Sequence, residues 1–199
     1  MNAFHKAAVW TGLLFLAKGV EAQTPGNIPV IQILKEGSSV RFAVQTSVSI
    51  EGTFDKWDAT LTYPSTDVEG GVLDIKIQAD SVNTGSGTKD GKLKSKDFFN
   101  AKDDPYSAFH STKLTQTGPT TVEVQGNFTT RGVSKPETLI FAITGKGTGS
   151  GDIKGTMAFD RKEFGMNSGI PFIKIADRVE VSVNLKGKRV SGPPLVFKQ

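Results

Sequence analysis

The chain has 199 residues, 37% of them hydrophobic, and its 24 Lys and Arg against 20 Asp and Glu leave a formal net charge of +4. The basic residues are scattered rather than gathered into the patch or stripe of a nucleic-acid footprint, so no nucleic-acid partner is expected. With no cysteine and only two histidines, disulfide frameworks, thiol chemistry and His/Cys metal cages are excluded.

Residues 1–22 read as a cleaved signal peptide. Lys6 beside His5 supplies a basic start, Ala7 to Ala17 an apolar core, and Val20-Glu21-Ala22 small residues around a cleavage site. The apolar run falls short of the ~20 residues that a membrane anchor needs, and no later stretch could span a bilayer. The expected mature product, residues 23–199, is one domain large enough for a core without staples. It is expected to be periplasmic or secreted, with no integral membrane segment.

From there the chain is nearly all period-two alternation, the mark of half-buried strands. Val40, Phe42, Val44, Thr46, Val48 and Ile50 share one face. Phe54 precedes the row Trp57, Ala59, Leu61, Tyr63, and Leu73, Ile75, Ile77, Ala79 follow. Later rows are Phe109 to Leu114; Val122, Val124, Gly126, Phe128; and Leu139, Phe141, Ile143. A glycine-rich turn, Gly145 to Gly151, leads to Ile153, Gly155, Met157, Phe159, and the last row is Val179, Val181, Val183, Leu185. About eight strands with one polar face each imply an antiparallel sheet, closed as a barrel or folded as a sandwich. Periodicity does not choose between the two. Phe, with no polar handle to satisfy, dominates the aromatics of these rows.

One stretch breaks the pattern. Asp80 to Thr112 is far longer than the ~4–6 residues of an ordinary connection, and it carries Leu93, Phe98, Phe99, Tyr106 and Phe109. Its helical signal is confined to residues 91–100. Such a segment reads as a lid, with Leu93, Phe98 and Phe99 facing in and Lys92, Lys94 and Lys96 facing water.

Catalytic groupings are scarce. His110 sits beside Phe109 on a strand and reads as a satisfied or exposed strand histidine. Asp103-Asp104 before Pro105 reads as a solvated turn. Thr84-Gly85-Ser86-Gly87-Thr88-Lys89 lacks the spacing of a phosphate loop and reads as turn chemistry. An enzyme working through carboxylates would need a convergent Asp or Glu pair, and the inward rows hold none.

In order and spacing, four segments resemble the YceI-like family of exported, lipocalin-like polyisoprenoid-binding proteins. They are Ser39–Val44 through Gly52-Thr53-Phe54; Asp80–Thr84 with Lys89–Phe99; Gly126–Pro136; and Arg161–Met166 with Asp177-Arg178-Val179. The likeness runs from about Ile33 to Leu185. Thr46 and Lys92 stand where that family often has histidine.

The resemblance implies an all-β fold, an eight-stranded antiparallel lipocalin-like barrel with the short helix and lid around residues 91–100. It also implies a non-catalytic role, the carrying or sequestration of a long isoprenoid or similar amphiphilic lipid in the barrel interior. No cofactor is expected beyond that ligand. By parity and resemblance, the lipid-facing side chains would be Phe42, Val44, Phe54 and Trp57 from the first rows. Leu73, Ile75 and Ile77 come next, then Leu93, Phe98 and Phe99 from the lid, and Phe109. Val124, Phe128, Phe141, Met157, Phe159 and Phe164 complete the set. Gly126 and Gly155, on inward rows, would leave room for a tunnel. The alternative is a barrel with a packed core whose rim loops bind a protein, with an exposed apolar patch near Tyr106, Phe164 or Phe172. Uncovered edges or apolar rim loops would allow a homodimer.

Overall fold

A computed structural model describes residues 26–46, 50–169 and 175–198. The signal-peptide segment 1–22, the side chain of Thr46, and Val48 and Phe172 lie outside the described residues. The strands are β1 (Val30–Thr46), β2 (Ile50–Phe54), β3 (Trp57–Thr62), β4 (Val72–Gln78), β5 (Val82–Asn83), β6 (Tyr106–Gln116), β7 (Thr121–Thr130), β8 (Val133–Ile143), β9 (Ser150–Asp160) and β10 (Ile175–Ser191). The helix α1 spans Gly87–Lys94.

Every strand pair is antiparallel, and β10 returns to pair with β1 from Val30↔Ser191 to Thr46↔Ile175, which closes the sheet on itself. β2 and β3 are two halves of one strand bent at Asp55-Lys56. β2 pairs with β1 through Val44↔Ile50 to Arg41↔Thr53, while β3 pairs with β4 through Trp57↔Ile77 to Thr62↔Val72. Counting that bent strand once and setting aside the two-residue β5, the ring is an eight-stranded closed antiparallel barrel. The ring closes through β1 and β10, the two 17-residue strands that bend to meet, while β8 and β9 pair only from Ile140↔Thr156 to Ile143↔Ile153 and part beyond Ile140. Register shifts mark the bends, one between Leu34 and Ser39 on β1 and another between Ser111 and Lys113 on β6. At the second, the hydroxyl of Ser111 accepts the Leu73 N–H at 2.8 Å, which satisfies a buried donor next to the irregularity.

The alternating rows point inward as parity requires. Val40, Leu73, Val122, Val124, Leu139 and Leu185 are essentially without exposed surface, within one continuous hydrophobic cluster. Two phenylalanine triads fill one end of the ring. Phe42, Phe54 and Phe99 have ring centroids 5.5–6.2 Å apart; Phe128, Phe159 and Phe164 lie 5.0–5.3 Å apart, in tilted and edge-to-face arrangements.

The long interruption closes this same end. It is shorter than the sequence suggests, because β6 begins at Tyr106. The helix begins and ends earlier than the 91–100 expected, leaving Phe98 and Phe99 in the turns that follow it. The reason is local: Gly85, at φ 75°, reverses the chain, and the Asp90 carboxylate accepts the Thr84 N–H at 2.8 Å and the Thr84 hydroxyl at 2.7 Å. That pair of bonds ties the turn to the helix and starts it early. Leu93 and Phe98 are buried and Phe99 partly so. Lys92 pairs with Asp97 at 2.6 Å. From the β7–β8 turn, Arg131 donates to the carbonyls of Lys96 and Phe98. The lid is thus bolted to the barrel by a cation from another hairpin.

Candidate ligand cavity

The glycines expected to leave a tunnel do not. A Cβ on Gly155 would stand 2.2 Å from the Phe141 ring, and one on Gly126 would stand 2.5 Å from the Phe109 ring. Each ring lies over the bare backbone of the neighbouring strand, so the space freed by a missing side chain is filled by an aromatic. Gly52 under Phe42 and Gly71 under Tyr63 repeat the arrangement.

An open groove of about 490 Å³ runs along the wall where β8 and β9 part, beside Ile140, Thr156 and Glu180. A separate apolar space lies at the opposite end of the ring from α1. An inner apolar cavity of about 20 Å³ is bounded by Leu73, Val122, Val124, Phe141 and Leu185. It shares Leu61, Tyr63, Ile143 and Ile153 with an outer cavity of about 90 Å³ at the barrel mouth. The mouth is formed by the β8–β9 turn, Gly145–Gly151, together with Ile31, Arg189 and the C-terminal residues Pro194, Leu195 and Phe197. Burial pushes the Tyr63 phenol well above the usual tyrosine range, so it is neutral at any physiological pH.

The C-terminal residues act as a strap across this mouth. Val196 donates to Thr66 O at 2.7 Å and accepts from Val68 N–H at 3.3 Å, forming a short parallel bridge with its own side chain outward. Lys198 exchanges backbone bonds with the Gln116 side chain at 2.7 and 2.8 Å and ion-pairs with Glu69. Alternation then turns Leu195 and Phe197 toward the cavity.

Of the seventeen lipid-facing side chains expected from sequence, Leu73, Val124 and Phe141 line this space. Ile75, Ile77, Phe109, Met157 and the partly buried Trp57 belong to the packed wall. Phe42, Val44, Phe54, Leu93, Phe98, Phe99, Phe128, Phe159 and Phe164 belong to the core and the filled lid end. The expectation of an exposed apolar patch at Phe164 is corrected, because that ring has 0% exposure. Tyr106 is 45% exposed, under the Lys76 ammonium at 3.8 Å. Among the residues that sequence reasoning passed over are Val68, Ile31, Arg189 and the strap. Leu195-Val196-Phe197 after two prolines alternates like a short strand, and that was the available signal.

Polar groups elsewhere do not converge on the cavity, and among the described residues the buried Asn184 Oδ1 is left without a hydrogen-bond partner. His110 is exposed on the outer wall with Nδ1 2.6 Å from Asp74 Oδ1, its cross-strand partner. Asn100 holds Asp104 at 2.8 Å within its turn. The buried Arg161 donates to the carbonyls of Ala176 and Ser168 at 3.1 Å, to that of Met166, and to Asp177 at 3.1 Å. The Lys162 hydrogen bond, with the charges of Lys162 and Arg161, holds the Asp177 carboxyl below its usual range. One carboxylate corrects the expectation of acid-free inward rows. β8 starts at Val133, which puts Glu137 on the face of Leu139 and Phe141. Burial, and then the Glu163 carboxylate, pushes its carboxyl up, while Glu163 itself pairs with Lys135 at 3.1 Å. Glu137 is half-buried where β8 and β9 part beyond Ile140↔Thr156, and it does not line the cavity. Among the described residues no cluster of His, Asp and Glu could hold a metal, and no helix is long and apolar enough to cross a membrane.

Residues 32–187 match the family model of the YceI-like domain. Protein YceI of Salmonella newport is 33% identical over 120 residues, covering 58% of this chain and 62% of that protein. Burkholderia cenocepacia BcnA has a similar structure, with a TM-score of 0.71 at 22% identity over 78% of this chain and 99% of its own. A polyisoprenoid binding domain from Saccharophagus degradans gives 0.65 at 14% identity, over 81% and 99%. At those identities the two structures speak for the fold, and the family match over most of the chain speaks for descent. The chain belongs to the YceI-like family.

Proposed function

We propose that this protein binds and carries, or sequesters, a long isoprenoid or similar amphiphilic lipid in its barrel interior, without catalysing a reaction on it, after export from the cytoplasm. The observation that carries this reading is the apolar cavity running from the strap into the ring between Leu61, Ile143 and Ile153. A dry, apolar cavity gains about 0.8 kcal/mol for each methylene-sized group it takes from water, before the ordering costs of binding. An apolar cavity of about 150 Å³ holds one benzene-sized guest. The space of about 90 Å³ at this mouth therefore admits only the leading carbons of a ligand while Leu195 and Phe197 stay in place. A long chain needs the strap to swing away, and the strap's bonds lie at the surface, where they are exchanged for water at little cost. Membership of a family with a polyisoprenoid binding domain among its structural neighbours supports the ligand class. Mass spectrometry of organic extracts from protein purified without added ligand is the test. Stoichiometric isoprenoid or other long-chain lipid is expected, and lipid-free protein that also takes up none on incubation would refute it.

A further inference from the structure

The charged side chains that line the cavity mouth are of one sign. Among the described residues lining the mouth, Lys146 and Arg189 are the only charged ones, and none is a carboxylate. Neither cation has an acidic partner among the described residues. Lys146 Nζ lies 3.4 Å from Pro119 O and 4.6 Å from the centroid of the Phe197 ring beneath it. Arg189 Nη1 donates to Gly192 O at 2.5 Å, leaving other guanidinium donors free of carboxylate contact. Both reach the mouth beside the turn Gly145-Lys146-Gly147-Thr148-Gly149, whose three glycines have φ of 69°, 80° and 85°. The space over that turn is open. A Cβ on Gly147 would meet nothing within 4 Å, and one on Gly149 would meet only the Arg189 guanidinium, at 3.9 Å. Thr148 turns its hydroxyl back onto the carbonyls of Gly145 and Ser150 at 2.7 Å, so it occupies turn acceptors and leaves the outer side clear.

We propose that the mouth between Lys146 and Arg189 is a head-group site for a single-chain amphiphile with an anionic carboxylate or phosphate head, whose chain replaces Leu195 and Phe197 in the cavity. This deepens the proposed function and rests on it. Two cations at the rim of a low-dielectric cavity attract an anion more strongly than they would in open water. A guanidinium also offers the paired donors that a carboxylate or phosphate accepts. The Phe197 ring under the ammonium is the internal occupant of the same place: an aromatic face toward the cation and an apolar body toward the cavity. Withdrawing it uncovers the Lys146 ammonium and the hydrocarbon wall together. The strap lies beyond the family match, which ends at residue 187.

The test is equilibrium dialysis of the delipidated protein with radiolabelled oleate and farnesyl phosphate against oleyl alcohol and farnesol, which match the chains without the charge. At least one of the two anions is expected to bind about tenfold tighter than its alcohol or better, the size of one charge-assisted hydrogen bond, and which pair shows the larger ratio distinguishes carboxylate from phosphate. Lys146→Gln, at an exposed position, and Arg189→Gln are each expected to reduce the ratio of anion to alcohol affinity about fivefold or more. Arg189→Lys, which keeps the charge, is expected to retain most of the preference. Equal binding of anions and alcohols, or a preference that survives both neutral substitutions, overturns the head-group site while leaving a lipid-binding barrel. Failure of all four compounds to bind overturns the proposed function with it.

Discussion

Replacing Phe98 and Phe99 together by alanine separates a structural plug from a ligand lid. Phe98 is 5% exposed, and truncating a buried phenylalanine costs about 3–5 kcal/mol. Phe99 is only partly buried, so its transfer contribution is about half as large, but its ring makes edge contacts with Phe42 at 6.2 Å and Phe54 at 5.5 Å. Aromatic pairs of this kind contribute about 0.5–1.5 kcal/mol each beyond area burial. Adjacent side chains are not additive, so the double variant is expected to lose about 4–6 kcal/mol. At about 2–4 °C per kcal/mol for a domain of this size, its melting temperature should fall by roughly 10–20 °C. Because the cavity lies at the other end of the ring, lipid recovered per mole of folded protein should stay as in the parent. Circular-dichroism melts, with lipid quantified by mass spectrometry on folded protein at low temperature, read both quantities. A variant that melts within about 3 °C of the parent yet has lost its lipid would refute this assignment and make the segment a lid on the ligand.

Other substitutions probe the remaining features. Gly155→Ala sets a methyl 2.2 Å from the Phe141 ring, and overpacking of this kind is expected to cost about 1–3 kcal/mol; a lower urea midpoint that Phe141→Leu partly restores would bear it out. Phe197→Ala removes the internal occupant of the mouth and should strengthen binding of charged and neutral ligands alike, about threefold or more by dialysis; unchanged affinities would mean that the strap does not compete. The Asp177 carboxyl is held low in the folded state by Lys162 and Arg161. Its contribution is therefore present above the ordinary aspartate pKa of about 4 and is lost as pH falls through the lowered folded value. Asp177→Asn should accordingly destabilise at pH 7 and flatten the acid limb of the stability profile; an unaltered acid limb would exclude this role. Glu137 runs the other way: its carboxyl is raised by burial and Glu163, so its charged form opposes folding at neutral pH and its protonation on acidification favours it. Glu137→Gln should leave the melting temperature at pH 7 equal or higher by about 1–2 °C, with the gain shrinking as pH is lowered.

Side-chain parity was legible at once because it is a local property: successive residues of a strand point to opposite faces whatever the partner strand is. Among the described residues, the apolar side chains of the inward rows named from alternation are buried or packed against the core, from Phe42 on β1 to Leu185 on β10. The lid was legible because its aromatics are too many for a solvated loop, though its helix boundary depended on the Thr84–Asp90 bonds across six positions. Glu137 was missed because Lys135, Pro136 and Glu137 do not read as strand; pairing with β7 at Asn127↔Pro136 makes them one.

Alternation by itself determined an antiparallel β domain with an apolar interior, and the absence of cysteine excluded disulfides and thiol chemistry. Where that interior has room was decided only by the tertiary structure. Phe141 lies over Gly155 because strand pairing sets them opposite. Phe99 reaches Phe42 and Phe54 because the lid folds back onto strands some 45–57 positions earlier in the chain. The strap meets Thr66 and Glu69 across some 130 positions. Whether a missing side chain becomes a hole or a seat for a ring depends on what the fold brings over it, and only ring closure settles that.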